Sequence, residues 1–264
     1  MTKISNSIAW ITGASSGIGE ALAIELSNQG ASVVLSARRE DELTKVLSKC
    51  AEGNHMILPL DVTDESLLRP AFQKVLDKYG KLDILVNNAG VTQRSIASET
   101  DISATRKIME VNFFSAVALT RIVLPYMIER RKGHILATSS VTGKYGTPFR
   151  STYAASKHAL HGYFDSVRAE NSKYDIKVTL VCPGFIKTPI TLQAVTADGS
   201  PLGTFEPGNK HGIPADRCAR KIAKAIKKNK REVYIAGLKE SSGIVLKRLW
   251  PGLLAKMLEK ISVT

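Results

Sequence analysis

Tyr153 and Lys157, in the run Tyr153-Ala154-Ala155-Ser156-Lys157, stand four positions apart, and Ser140 precedes the tyrosine by thirteen. On a helix a four-residue spacing puts two side chains on one face, within reach of each other. A free phenol, with a pKa of about 10, is a weak acid–base group near neutrality. A nearby ammonium favours the phenolate and draws that value towards working pH. The pair can therefore give a proton to a carbonyl oxygen or take one from an alcohol.

Such chemistry needs a frame. Apolar runs alternate with helical patterns along the whole chain. Expected strands are Ile8–Thr12, Ser32–Ser36, His55–Leu60, Leu82–Val86, His134–Ser139, Lys177–Cys182 and Glu232–Ala236. Between them run amphipathic stretches at Ile18–Gln29, Asp41–Cys50, Glu65–Lys78, Ala104–Arg130, Thr152–Lys173 and Pro214–Lys228. Short β-branched runs alternating with helices make βαβ units and a parallel sheet. The expected fold is α/β, a doubly wound, mostly parallel, seven-stranded Rossmann-type sheet with helices on both faces and a C-terminal helical extension. Residues 1–240 form one catalytic domain and 241–264 an apolar, basic extension. Residues 184–213 are rich in glycine and proline, too long for a plain connection, and read as a lid over the substrate.

The turn Thr12-Gly13-Ala14-Ser15-Ser16-Gly17-Ile18-Gly19 follows the first strand and opens the first helix. Its glycines let the backbone approach a pyrophosphate, which meets the free N–H groups and positive end of the helix. The second strand ends Val34-Leu35-Ser36-Ala37-Arg38-Arg39. An NAD site usually carries a carboxylate there for the ribose hydroxyls. A carboxylate would repel a 2′-phosphate, whereas Arg38 and Ser36 would hydrogen-bond it. The expected cofactor is NADP(H), with NAD(H) as the alternative.

The 264 residues, 44% hydrophobic and 23% charged, are ordinary for one globular domain. Cys50, Cys182 and Cys218 share no metal-ligand spacing and fit free thiols in a reducing compartment. The chain enters its first strand with no leader, and no run of ~20 apolar residues is expected to span a membrane. The expected location is therefore cytoplasmic. The net charge of +13 is concentrated late in the chain, without zinc-finger spacing or an aromatic-interleaved basic motif, so no nucleic-acid partner is expected.

With these motifs in this order, the chain resembles the short-chain dehydrogenase/reductase family, in its single-domain branch, from about Ser7 to Ala236. The motifs are the glycine turn, Asp61-Val62, Asn87-Asn88-Ala89-Gly90, Asn112, Ser140, Tyr153 with Lys157, and Pro183-Gly184-Phe185-Ile186-Lys187-Thr188. The resemblance implies a catalytic tetrad of Asn112, Ser140, Tyr153 and Lys157. Ser140 would bond the substrate oxygen, Tyr153 would exchange its proton, and Lys157 would lower the tyrosine pKa and grip the nicotinamide ribose. Asn112 would hold a water linking Lys157 to solvent. Asp61 and Val62 would border the adenine, and Asn88, Ala89 and Gly90 the adenosine ribose. Ile18 would lie at the diphosphate, and Ile186 and Thr188, after Pro183-Gly184, at the carboxamide. Ser139 competes with Ser140, but strand neighbours face opposite ways, and the thirteen-residue spacing selects Ser140. Many NADP-using relatives carry a basic residue where this chain has Ser16, so a 2′-phosphate would rest mainly on Arg38, with Ser15.

By position, Val141, Thr142, Tyr145, Phe149, Gln93, Arg94, Phe185, Ile190 and Leu192 are candidates for the substrate pocket. Most are apolar and suit a lipophilic alcohol or carbonyl; steroid, retinoid, keto-lipid and xenobiotic carbonyls all stay open. The tail from Gly243 to Leu258 is apolar and basic, broken by Pro251-Gly252. It is similar to family members whose C-terminal extension sits against a membrane or a partner subunit. A peripheral lipid contact and packing on protein both remain open. The family also implies a homodimer or homotetramer. A non-catalytic nucleotide sensor on the same fold is the competing function, opposed by the intact tetrad.

Overall fold

The computed structural model describes residues 1–204 and 207–260; residues 205–206 of the expected lid and 261–264 of the tail lie outside the described residues. The main sheet has seven strands: β1 (Ile8–Thr12), β2 (Ser32–Ser36), β3 (Met56–Ile57), β4 (Ile84–Asn87), β5 (Gly133–Thr138), β6 (Ile176–Pro183) and β9 (Glu232–Ile235). They are ordered β3-β2-β1-β4-β5-β6-β9, and every neighbouring pair is parallel. A two-stranded annex pairs β7 (Ile186–Lys187) with β8 (Ile213–Pro214).

Side chains alternate across a strand, and here both faces are covered. Ala9, Ile11, Val33, Leu35, Ile84 and Val86 pack beneath α1 (Gly17–Asn28), α2 (Glu40–Leu47) and α8 (Ala215–Lys227). Trp10, Val34, Leu85 and Ile135 face α3 (Glu65–Tyr79), α5 (Ser115–Glu129) and α6 (Ser151–Glu170). The seven strands and their flanking helices agree with the sequence reading, with differences at particular elements.

The third strand is shorter than expected. It is regular only over Met56–Ile57, but the pairing runs on: Leu58 and Leu60 donate to the Leu35 and Ala37 carbonyls, at 2.9 and 3.0 Å, and Pro59 between them faces away from β2 on this edge strand, where its missing N–H costs no ladder bond. The helix expected over 104–130 is divided into α4 (Ile102–Met109), a π turn at Glu110–Phe114, and α5. The cause is Asn112, whose amide reaches outside its helix, as described below. This segment, Ile102–Glu129, is long and apolar enough by length and composition to cross a membrane, which the sequence did not lead us to expect. Its buried side, including Ile108, Leu119, Val123 and Met127, lies in the core of the domain.

The chain reverses its direction of travel across the sheet between β1 and β4. Ligands bind open α/β sheets at the carboxyl ends of strands beside such a switch point. The loops after β1, β2, β3, β4, β5 and β6 carry the candidate motifs and meet there. The tail continues as α9 (Leu238–Leu249) and α10 (Pro251–Glu259), and α7 (Pro207–Lys210) lies in the long connection before α8.

Candidate active site

One cleft of about 1410 Å³ runs along the carboxyl ends of the strands. Its size exceeds the roughly 300–1,000 Å³ typical of a single small ligand, so it can hold two molecules side by side. One end is lined by Gly13, Ser15, Ser16, Gly17, Ile18, Arg38, Asp61, Val62, Asn88, Ala89 and Gly90. The other carries Ser140, Tyr153, Lys157, Pro183, Gly184, Ile186 and Thr188.

The glycine turn is built for close approach. Gly13 has φ +63°, and a Cβ there would sit 2.8 Å from Ala89 Cα. Ser16, extended at φ −164°, precedes α1 and caps none of its N–H groups with its hydroxyl. The first turn of α1 therefore offers N–H groups and a positive dipole end to an anion. Asn88 fastens this turn to β4: its amide donates to the Thr12 and Gly13 carbonyls at 3.1 and 3.2 Å and accepts from Thr138 Oγ1 at 3.1 Å. Gly19 lies outside the cleft, and its role is contact: a Cβ would fall 2.2 Å from the Gly13 carbonyl oxygen.

Arg38 is exposed at the adenine end, beside Asp61. Burial alone would raise the Asp61 carboxyl. Hydrogen bonds from the Thr63 hydroxyl and N–H, together with the Arg38 charge, outweigh it and hold Asp61 below its ordinary value. Ser36 corrects the sequence reading. It is fully buried, outside the cleft, and its hydroxyl accepts from Trp10 Nε1 at 2.8 Å. On β2 it points into the core, so it is unable to meet a 2′-phosphate. Arg39 and Thr63, which the motifs did not single out, line this end instead.

At the other end Ser140 Oγ donates to the Pro183 carbonyl at 3.3 Å, accepts from Thr142 N–H at 3.2 Å and is hydrogen-bonded to Tyr153. Ser139 faces away, donating to the Lys157 carbonyl at 3.1 Å, as strand alternation requires. Lys157 is 4% exposed, and its Nζ donates to the Thr138 carbonyl at 2.8 Å. Burial pulls its ammonium down from 10.5 to about 8, with Cys182 opposing weakly. Burial pushes the Tyr153 phenol above its ordinary value, while the Ser140 hydrogen bond and the Arg150 charge act the other way.

The lysine Nζ lies 5.7 Å from the Tyr153 ring centre and donates to Thr138; a second cation, Arg150, lines the cleft three residues before the tyrosine, and its charge draws the phenol down. Arg150 was missed because nothing in its spacing sets it apart from other charged residues at a helix start.

Asn112 stands behind the cleft and is 1% exposed. Its Oδ1 accepts from Val91 N–H at 2.8 Å, and its Nδ2 donates to the Val91 carbonyl and Ser156 Oγ, each at 3.0 Å. It binds the π turn to the segment after β4 and to α6. Gln93, expected in the substrate pocket, has a second duty: its Oε1 accepts from Thr152 and Tyr153 N–H groups at 2.8 and 3.1 Å. It thereby caps α6 where Arg150, the preceding residue, does not.

Val141, Thr142, Tyr145, Phe185, Ile190 and Leu192 line the cleft as expected, but Arg94 and Phe149 do not. Phe149 adopts φ 63° and turns its ring to the Arg94 guanidinium, 5.1 Å away. The tail supplies what position alone did not predict: Gly243, Leu246, Leu254, Met257 and Leu258 wall the substrate end. Gly243 is required, since a Cβ would lie 2.8 Å from Tyr145 Cζ.

A phosphate-binding turn at a topological switch point, continuous with a serine–tyrosine–lysine set, defines a Rossmann-type, nucleotide-binding oxidoreductase. Residues 7–198 match the profile described as short chain dehydrogenase, and the chain belongs to that family. It is 38% identical over 259 residues to mouse (Mus musculus) dehydrogenase/reductase SDR family member 7B, covering 96% of this chain and 80% of that one. It is 40% identical over 272 residues to the Anopheles gambiae dehydrogenase/reductase SDR family protein 7-like, covering 99% and 86%. Among solved structures, a short chain dehydrogenase/reductase from Burkholderia phymatum in complex with NAD superposes with a TM-score of 0.84 at 24% identity, over 96% of each chain. One from Burkholderia cenocepacia in complex with NADP gives 0.81 at 23%, over 97% of this chain and 99% of that one. These two likenesses establish the fold.

Proposed function

We propose that the protein is an NADP(H)-dependent reductase of lipophilic carbonyl compounds. The observation that carries this reading is the continuity of one cleft from Arg38 to a substrate end walled by apolar tail residues, with Tyr153 and Ser140 between. The glycine turn and the α1 N-terminus would hold the diphosphate, and Arg38 would pair with the 2′-phosphate. A nicotinamide bound there would supply hydride to the carbonyl carbon. Ser140 holds the carbonyl oxygen as negative charge develops on it, and Tyr153 gives that oxygen its proton. A phenol raised by burial keeps its proton near neutrality, ready for transfer to the carbonyl oxygen. Lys157 would grip the ribose from below the tyrosine.

The outer face of the tail supports a peripheral contact with anionic lipid. Leu238, Val245, Leu249, Trp250 and Leu253 are at least half exposed, with Lys247, Arg248 and Lys256 exposed among them. Such a face suits a lipid interface. Full-length protein would pellet with anionic vesicles and protein lacking the tail would not. The side-by-side helices α4–α5 and α6 are the surfaces through which a homodimer or homotetramer would form, and the free thiols fit a reducing compartment such as the cytoplasm.

The test is NADPH consumption against ketones and aldehydes graded in chain length and ring size, with NADH in parallel. Bulky apolar carbonyls should be turned over with NADPH, and Tyr153→Phe should abolish turnover while leaving NADPH binding intact. Near-full activity of that variant, or equal use of NADH, would overturn the corresponding part of the reading.

A further inference from the structure

Beneath the cleft, and outside it, three metal-ligating side chains converge without serving the reaction. His161 lies on α6 one turn beyond Lys157, Cys182 near the end of β6, and Glu232 at the start of the neighbouring β9. His161 is 8% exposed and Cys182 fully buried. Glu232 reaches the surface, its side chain 27% exposed.

The hydrogen bonds fix the state of the imidazole. The Ser139 hydroxyl spends its one hydrogen on the Lys157 carbonyl, at 3.1 Å. Its 3.0 Å contact with His161 Nε2 therefore requires the ring nitrogen to donate. Nδ1 is left with a bare lone pair, and it has no hydrogen-bond partner. What it faces, 3.8 Å away, is Glu232 Oε1, another electron-pair donor. The carboxylate oxygen is held by Lys144 Nζ at 2.8 Å and by the Cys182 thiol, which leaves the buried imidazole lone pair as the one donor of the group without a partner. Cys182 Sγ completes the set: its thiol donates to the same carboxylate oxygen at 3.2 Å and lies 3.7 Å from the other ring nitrogen, Nε2, and one ligand atom from each residue falls within 4.8 Å of the other two.

We propose that His161 Nδ1, Cys182 Sγ and Glu232 Oε1 form a binding site for a zinc-class divalent metal ion. Bonds of about 2.0–2.3 Å in a tetrahedron put ligand atoms roughly 3.3–3.7 Å apart. The Sγ–Oε1 and Nδ1–Oε1 separations of 3.2 and 3.8 Å lie near that range, and the third pair, within 4.8 Å, closes on binding. Thiolate with imidazole favours zinc over magnesium or calcium. The Nε2–H···Ser139 bond is the usual outer partner that fixes a ligating histidine's tautomer. Gly143 leaves the room: a Cβ there would stand 2.5 Å from Ser139 Oγ and 3.0 Å from His161 Nε2. Water from the Glu232 side fills the fourth position.

Binding takes the Cys182 proton to solvent and forms three coordinate bonds; nothing is oxidised or reduced. The ion also replaces Lys144, whose Nζ now lies 2.8 Å from Glu232 Oε1. Lys144 directly follows the short turn Val141–Gly143 behind Ser140, so occupancy of the site alters a fastening of the substrate-side loop.

The test uses full-length, chelator-treated protein titrated with Co²⁺ alone. The expected result is a thiolate-to-cobalt absorption band saturating at one ion per chain and erased by Zn²⁺. Cys182→Ser should lose the band, and Cys218→Ser should keep it. Glu232→Gln, nearly the same size, should fold as wild type by circular dichroism and weaken the metal by more than the roughly 10–100-fold typical of an outer partner. Should Cys182→Ser fail to fold, the Glu232→Gln affinity decides. A wild-type protein with no band, a band that survives Cys182→Ser, or unchanged affinity in Glu232→Gln would each overturn the site.

Discussion

Lys157 offers a test in which stability, not activity, reports the electrostatics of the site. Its ammonium is 4% exposed and makes one hydrogen bond, to the Thr138 carbonyl. Burial lowers it from 10.5 to about 8, a difference worth about 3 kcal/mol at roughly 1.4 kcal/mol per pH unit. Below pH 8 the lysine is charged in both folded and unfolded chains, and the folded state bears the whole cost. Above 10.5 it is neutral in both, and the cost is gone. Between those values the unfolded chain binds more protons, so stability rises with pH. Lys157→Met removes this titration. Its loss of the bond to Thr138, about 1–3 kcal/mol, adds an offset that is nearly independent of pH. Urea unfolding of both cofactor-free proteins should be measured at steps from pH 7 to 10.5. The difference, wild type minus variant, should move in favour of the wild type by about 2–3 kcal/mol across the window. A flat difference, or one moving the other way, would refute the claim that the lysine is held against its burial.

Three further outcomes follow from the geometry. Arg38→Ala should raise the KM for NADPH about 10–100-fold, the worth of a charge-assisted hydrogen bond, and leave NADH unchanged; equal effects on both would remove Arg38 from the 2′-phosphate. Asn112→Ala leaves both polar groups of Val91 without their partner, so urea unfolding should show a loss of at least about 2 kcal/mol, and a loss near zero would mean that the π turn holds without it. Gly19→Ala places a Cβ 2.2 Å from the Gly13 carbonyl and 2.6 Å from Asn88 Nδ2, whereas at Gly252 a Cβ meets nothing within 4 Å. The first should lower the melting temperature sharply and abolish nucleotide binding, the second should change neither, and a matched pair of melting curves checks both.

The sequence by itself determined the alternation of strands and helices, because β-branched apolar runs and amphipathic stretches declare their periods locally. It also determined the glycine turn, the opposite facing of Ser139 and Ser140 just past β5 and the Tyr153–Lys157 face of α6, since extended-chain alternation and helical spacing are properties of a few consecutive residues. Tertiary structure decided what depends on distant neighbours. Ser36 looked free at a strand end, but the Trp10 ring across the sheet claims its hydroxyl. α6 starts without a cap of its own and takes one from Gln93, nearly sixty residues earlier in the chain. Asn112 binds Val91 and so sets the π turn in a helix whose pattern reads as continuous. The tail read as a separate extension, yet it closes the substrate end of the cleft because its inner face finds Val141 and Tyr145. His161, Cys182 and Glu232 share no spacing at all; only adjacent parallel strands under one helix bring their ligand atoms within 4.8 Å of one another. Local periodicity sets which face a residue occupies, while the identity of what that face meets belongs to the folded chain.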